Sequence, residues 1–254
     1  YGPNLFGYAD PGIDAAYVAR LARGDTMTGP PPEMVELAER LTARISHADW
    51  VMVAKNGTDA TTMALEIARA TTGRRRILVA HGAYHGAAPW CTPVKAGTLP
   101  EDRAHLARFT YNDIDSLTAA VSEADGDLAG IFASPFRHDA FQDQEEPDPA
   151  YAAAVRALAD RAGALLIVDD VRAGFRLARD CSWSRLGVAP DLSSWGKCVA
   201  NGHPLSFLAG SGSARAGAEA IYVTGSFWFS AAPFAAALAT LDRIETTSYL
   251  EHLV

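Results

Sequence analysis

The sequence predicts an α/β fold, with a mostly parallel sheet and helices on both faces. Three observations carry that expectation. Short apolar runs alternate with stretches of helical spacing along the whole chain. The runs are continuous rather than alternating, as in strands buried on both faces. Each then stops abruptly at small or polar residues, which in such sheets is the edge where ligands bind. At 254 residues, 49 % apolar and 20 % charged, the chain can fill the core of one large domain.

Residues 1–31 are rich in Gly and Pro (Tyr1-Gly2-Pro3, Asp10-Pro11-Gly12, Gly29-Pro30-Pro31-Pro32) and read as an N-terminal loop segment with one short helix near Ile13–Arg23. From Pro32 onward Val35, Leu37, Leu41 and Ile45 have helical spacing. Trp50–Ala54 is a strand-like run, followed by Lys55-Asn56-Gly57-Thr58-Asp59-Ala60 and a helical pattern through Ile67. Arg76–Ala80 is the next strand, ending at Gly82-Ala83-Tyr84-His85-Gly86. A helix near Leu117–Val121 leads to the strand Leu128–Ala133, and a helix over Pro149–Arg161 leads to Leu165–Val168 with Asp169 and Asp170 at its end. Asp191–Trp195 then delivers Gly196-Lys197. Leu205–Ala209 is a further short strand, and Ala231–Ile244 an alanine-rich helix.

Charge and cysteine usage exclude several classes. The net charge is −8 and the one basic run is Arg74-Arg75-Arg76, so nucleic acid is not an expected partner. Cys91, Cys181 and Cys198 are odd in number and lack metal-ligand spacing, which points to a reducing, cytoplasmic setting and no metal. The acidic loop Gln142–Glu146 has no histidine spaced to join it and reads as a solvated face. No apolar run reaches membrane-spanning length. The chain opens on Tyr1 and stops at Val254 without a polar tail, so both ends read as cut.

The chemistry gathers at strand ends. Strand, small polar turn, helix N-terminus is a phosphate-binding arrangement, because first-turn N–H groups lack partners. That nominates Asn56, Gly57 and Thr58; plain helix capping would use the same residues. Tyr84 and His85 between glycines suit stacking on a flat ring. Asp169 is a strand-end acid. Lys197 is one of only three lysines in a chain whose other basic side chains are arginines. A desolvated lysine has a lowered pKa and a lone pair free to attack a carbonyl, although a stem packed on the sheet edge would look the same in sequence. A phosphate cradle, a ring stacker, an acid and an amine together describe pyridoxal 5′-phosphate, with the acid paired to its ring nitrogen.

The chain also resembles a known family. Asn56-Gly57-Thr58-Asp59-Ala60-Thr61, Ala83-Tyr84-His85-Gly86, Asp169-Asp170-Val171-Arg172-Ala173-Gly174-Phe175-Arg176 and Gly187–Leu192 with Gly196-Lys197 are similar to the blocks of class III, fold-type I aminotransferases, most closely the glutamate-1-semialdehyde 2,1-aminomutases. The resemblance implies a large cofactor-binding domain over 32–254, with the family's C-terminal small domain absent. It implies that Lys197 forms the Schiff base, Asp169 pairs with the ring nitrogen, Val171 packs on one ring face and Tyr84 on the other with His85 beside it. Asn56, Gly57 and Thr58 would hold the phosphate. A homodimer with shared sites is implied too, Ser226 in Ile221–Ser226 giving a hydroxyl across to its partner. An asparagine that normally meets the cofactor's phenolic oxygen falls on Asp139, a carboxylate that would repel it. Ser134-Pro135 stands where the family has Glu-Pro, and Asp170 where it has glutamate.

The implied activity is amino-group transfer on a small amino or oxo compound, as aminotransferase or aminomutase, through a pyridoxamine intermediate. A racemase or epimerase on the same scaffold is the alternative, needing Tyr84 or His85 opposite Lys197. A non-catalytic cofactor-binding domain is a third reading.

Overall fold

The computed structural model describes residues 2–137 and 143–253. Its centre is a seven-stranded sheet: β1 (Trp50–Ala54), β2 (Arg76–Ala80), β3 (Leu106–Phe109), β4 (Leu128–Ala133), β5 (Leu165–Asp169), β6 (Leu192–Trp195) and β7 (Ser206–Gly210). Their order is β1-β7-β6-β5-β4-β2-β3, and only β7 runs antiparallel to its neighbours. A mostly parallel sheet is thus what forms. The carboxyl ends of β1, β2, β4, β5 and β6 share one edge, so the chemical residues that follow them meet there.

The alternation within β5 shows how the sheet is buried. Leu166 and Val168 enter one core, together with Ile13, Leu37, Leu117, Leu158 and Phe234. Leu165 and Ile167 enter the other, together with Ala60, Met63, Ile67 and Phe132. The first core is covered by α1 (Pro11–Leu21), α2 (Pro32–Arg44), α4 (Ile114–Glu123), α5 (Pro149–Ala162) and α7 (Ala231–Thr246). The second is covered by α3 (Gly57–Thr72) and α6 (Arg215–Ala220). At about 25 cal/mol per Å² of apolar surface, burial on both faces of the sheet is the main force holding the strand ends in register.

Sequence reading misses β3 and α6. β3 is an edge strand of four residues whose side chains are mostly half exposed, and Arg108 interrupts its apolar pattern. α6 is a six-residue helix with one buried residue, Gly217, packed against Thr71. Neither has enough apolar periodicity to be read. Among the described residues, no helix is long and apolar enough to cross a membrane.

Candidate active site

Asp169 is the last residue of β5. Its Oδ2 lies 2.7 Å from His85 Nδ1, and both side chains are buried. Its Oδ1 accepts the N–H of Val171 at 3.2 Å. A carboxylate only accepts, so Nδ1 carries the hydrogen in this pair. His85 is held from both ends. Its carbonyl accepts from Thr61 Oγ1 at 2.6 Å, and its ring tilts against Phe132 with centroids 5.1 Å apart. His85 thus hydrogen-bonds the strand-end acid, a contact the sequence reading does not include. Tyr84, next in sequence, is 47 % exposed and open to the solvent side.

Asp170 does not share that environment. It is buried, and its Oδ2 accepts the N–H of Ser182 at 2.8 Å. Burial pushes its carboxyl up to about 6, against hydrogen bonds from Ser182 and Cys181 that favour the charged form.

Lys197 follows β6. Ser194 pairs in register with Asp169 across the β5–β6 ladder, so acid and amine leave adjacent strands. Gly196 is extended (φ −175°). Lys197 itself takes a left-handed conformation, φ +48°, and opens a 3₁₀ turn, Lys197–Ala200. Burial lowers its amine below the ordinary lysine value. The Asp169 charge opposes that shift, and the Arg172 and Arg176 charges reinforce it. The result is a larger share of neutral, nucleophilic amine at a given pH.

Val171 joins the two halves of the site. A Cβ on Gly57 would lie 2.5 Å from Val171 Cγ1 and 2.9 Å from Cγ2. One on Gly196 would lie 3.4 Å from the same Cγ1, with the Gly57 nitrogen 3.8 Å away. The helix start, the valine and the residue before the lysine therefore occupy one place. Gly57 is required there for close approach.

The turn before α3 leaves main-chain donors without partners inside the helix. The N–H groups of Gly57 and Thr58 lie in the first helical turn, where the helix itself offers no acceptor. The N–H of Asn56 is taken by Asp59 Oδ2 at 2.9 Å. Thr58 Oγ1 accepts the N–H of Ala87 at 3.1 Å, leaving its own hydrogen to donate. Gly86, at φ +127°, has room against Thr58 only because it lacks a Cβ, which would sit 2.6 Å from Oγ1. The loop carrying Tyr84 and His85 is thereby fastened to the turn before α3.

Ser226 is not brought to this cluster within one chain. It is exposed and, among the described residues, makes no hydrogen bond. Trp228 folds back over Gly225, where a Cβ would meet its Nε1 at 2.2 Å. Asp139 lies outside the described residues. Sequence reasoning also passed over Lys55 except as a count. Its ammonium lies 5.2 Å from the Phe234 ring centroid, and its Nζ is buried without a partner among the described residues. Burial lowers it to about 8.

With this geometry in place, comparison defines the class. The model of the family "Aminotransferase class-III" matches residues 1–253, and the chain belongs to that family. An aminopentol aminotransferase from Sphingopyxis macrogoltabida is 58 % identical over 254 residues, which is 100 % of this chain and 60 % of that protein. The solved FumI protein of Sphingopyxis sp. MTA144, in its PLP internal aldimine form, superposes with a TM-score of 0.97 at 58 % identity, covering 99 % of this chain and 61 % of that one. A glutamate-1-semialdehyde aminomutase from Pseudomonas aeruginosa shares the fold, with a TM-score of 0.83, 24 % identity and coverage of 95 % of this chain and 58 % of that one. The chain thus spans about three-fifths of the length of these relatives. The expected class holds, while the aminomutase is a distant structural neighbour.

Proposed function

We propose that this chain is the cofactor-binding part of a pyridoxal 5′-phosphate-dependent aminotransferase that moves the amino group of a small amine to an oxo acceptor. The observation that carries the reading is Asp169 and Lys197 on paired strands, with Val171 packed between the lysine turn and the anion-binding helix start. Bound there, the cofactor supplies an aldehyde that condenses with amines and a ring that accepts electrons.

The residues divide the remaining work. The N–H groups of Gly57 and Thr58, with the Thr58 hydroxyl, fit a phosphate, and the exposed Asn56 borders it. Asp169, held by His85, offers a carboxylate oxygen to a protonated ring nitrogen. Val171 and Tyr84 fit the two ring faces. Lys197, its amine held below the ordinary lysine value, would serve as the base that takes a proton from a substrate carbon beside it.

Transfer between two molecules is preferred here to aminomutation, because identity to the aminopentol aminotransferase is more than twice that to the aminomutase. The same identity supports an amine of the aminopentol type as donor. A racemase needs a second acid–base group facing Lys197. His85 is removed from that role by its bond to Asp169, which leaves Tyr84 alone. A homodimer is supported by the loop around Ser226, where Tyr222 is 90 % and Phe227 67 % exposed. Three free cysteines support a cytoplasmic setting.

The test uses the full-length protein with added pyridoxal 5′-phosphate. A visible absorbance band that is lost in Lys197→Ala, with transfer of an aminopentol amine to an oxo acid, is expected. A protein that stays colourless, or one that exchanges and racemises the substrate carbon without transfer, overturns the proposal.

A further inference from the structure

The turn that carries Lys197 contains a second side chain in an uncommon conformation. Asn201, four residues on, has φ +46° and is buried. Asparagine tolerates the left-handed region better than most residues, but glycine fills such a position at less cost. The side chain therefore needs its own explanation. Its Oδ1 accepts the N–H groups of Leu5 at 2.7 Å and Phe6 at 2.8 Å. Its Nδ2 donates to the carbonyl of Gly7 at 3.2 Å. Two N–H donors on one oxygen fix the orientation of the amide. One buried amide thus satisfies three main-chain groups of a segment almost 200 residues away.

The neighbouring residues engage the same segment. A Cβ on Gly202 would lie 2.5 Å from Asn4 Oδ1, so the two chains touch there. His203 Nε2 lies 3.0 Å from Asp14 Oδ1, and its ring stacks on Tyr17 with centroids 4.2 Å apart. Arg176 donates from Nη2 to the carbonyls of Gly2 at 2.6 Å and Asn4 at 3.0 Å. The side chain of Arg176 also reaches Cys198, next to Lys197.

We propose that Asn201 is a positioning residue for Lys197: by tying residues 5–7 to the lysine turn, it holds that turn in its left-handed form and fixes where the amine points. A non-glycine residue at φ +48° persists only when its surroundings over-determine it. Lys197 at the start of the turn and Asn201 at its end are both strained in this sense, and the three bonds of Asn201 are the pins at the far end. Without them the turn can relax toward negative φ, and the lysine side chain leaves its present direction, in which its amine feels the Asp169 charge. The cradle residues Gly57 and Thr58 are untouched by that change, so cofactor affinity survives while the lysine's proton-handling step suffers. This inference rests on the aminotransferase reading for the role of Lys197, but the clamp itself does not.

The experiment compares full-length wild type, Asn201→Gly and Asn201→Asp, each with pyridoxal 5′-phosphate. Asn201→Gly keeps the left-handed backbone accessible and removes only the three bonds. Asn201→Asp keeps the acceptor for Leu5 and Phe6. Amide hydrogen exchange at Leu5 and Phe6 is expected to quicken roughly tenfold in Asn201→Gly and to stay near wild type in Asn201→Asp. In Asn201→Gly the pH midpoint of the lysine-dependent absorbance band is expected to move upward by about half a unit or more, as the turn opens to water. With substrate, kcat is expected to fall about tenfold or more, with little change in KM. If wild type shows no lysine-dependent band, the aminotransferase reading fails. If wild type shows the band but Asn201→Gly leaves exchange and midpoint unchanged, the clamp fails and the reading stands. Faster exchange with an unmoved midpoint assigns Asn201 to the N-terminal segment alone and also overturns the proposal.

Discussion

Asp170→Asn should stabilise the protein, and the gain should depend on pH in a defined way. Asp170 is 1 % exposed, and burial raises its carboxyl from 3.8 to about 6. A gap of a little over two pH units, at about 1.4 kcal/mol each, makes the charged form cost about 3 kcal/mol of folding free energy. The sign follows from which state loses its proton first. Below about pH 4 both the folded and the unfolded chain are protonated here, and the cost is absent. Between about 4 and 6 the unfolded chain releases its proton while the folded one retains it, so stability falls as pH rises. Above about 6 the full cost is present. Asparagine carries no charge, and its Oδ1 can still accept the N–H of Ser182. Urea unfolding of the cofactor-free protein at one-unit steps from pH 4 to 8 should show Asp170→Asn gaining up to about 3 kcal/mol at neutral pH and little at pH 4. A gain that is flat with pH, or a loss at pH 7, refutes the assignment of Asp170 as a buried, poorly compensated carboxyl.

Three further expectations follow from other contacts. His47 is the mirror case: burial lowers it from 6.5 to about 4, so its neutral form stabilises the fold above pH 6.5 and that contribution is lost as pH falls toward 4. His47→Gln should remove this acid sensitivity, read as a shallower loss of stability in acid. Gly57→Ala drives a methyl to 2.5 Å from Val171 Cγ1 and should cost about 1–3 kcal/mol of stability along with most of the cofactor affinity. Adding Val171→Ala should recover the stability, as thermal unfolding would show. His85→Phe leaves the Asp169 carboxylate buried without its 2.7 Å partner and should cost about 1–3 kcal/mol. Asp169→Asn should then be less costly in the His85→Phe background than in wild type, a coupling that a double-mutant cycle in urea measures.

Much of this site was legible because a parallel sheet turns a one-dimensional rule into a three-dimensional one. An apolar run ending at a polar residue marks a strand end, and parallel strands bring their ends to one edge. That rule finds Asn56-Gly57-Thr58, Tyr84-His85, Asp169 and Lys197 without any knowledge of strand order. It cannot say which side of the edge a residue faces once the strand has ended. The bond from His85 to Asp169 is therefore beyond it. Contacts between distant segments were also out of reach. Nothing around Asn201 in sequence announces Leu5 and Phe6, and a φ of +46° leaves no trace in composition. β3 escaped for a different reason, being a short edge strand with too little burial to impose an apolar pattern.

The consecutive acids Asp169 and Asp170 show how much rests on that last unread degree of freedom. They are adjacent in sequence and both buried, yet they meet opposite surroundings. Asp169 ends β5 still in register with Ser194; its carboxylate receives an imidazole N–H and acts on the Lys197 amine through its charge. Asp170 leaves the ladder and turns to the 182–186 turn, where Ser182 and Cys181 donate to it while Oδ1 has no hydrogen-bond partner among the described residues. Supplying both carboxylates with donors equally would stabilise the protein more. Instead the acid paired with an imidazole is the one whose charge acts on the lysine, and the acid with an unpartnered oxygen is next to it, where its charge adds to the negative potential of the region. A positively charged ring nitrogen beside Asp169 would relieve both charges at once. Cofactor binding should therefore lower the pH at which Asp170 ionises, and the Asp170→Asn stability gain should shrink when the same unfolding series is run with saturating pyridoxal 5′-phosphate. A gain that is the same with and without cofactor would mean the two carboxylates do not share a field.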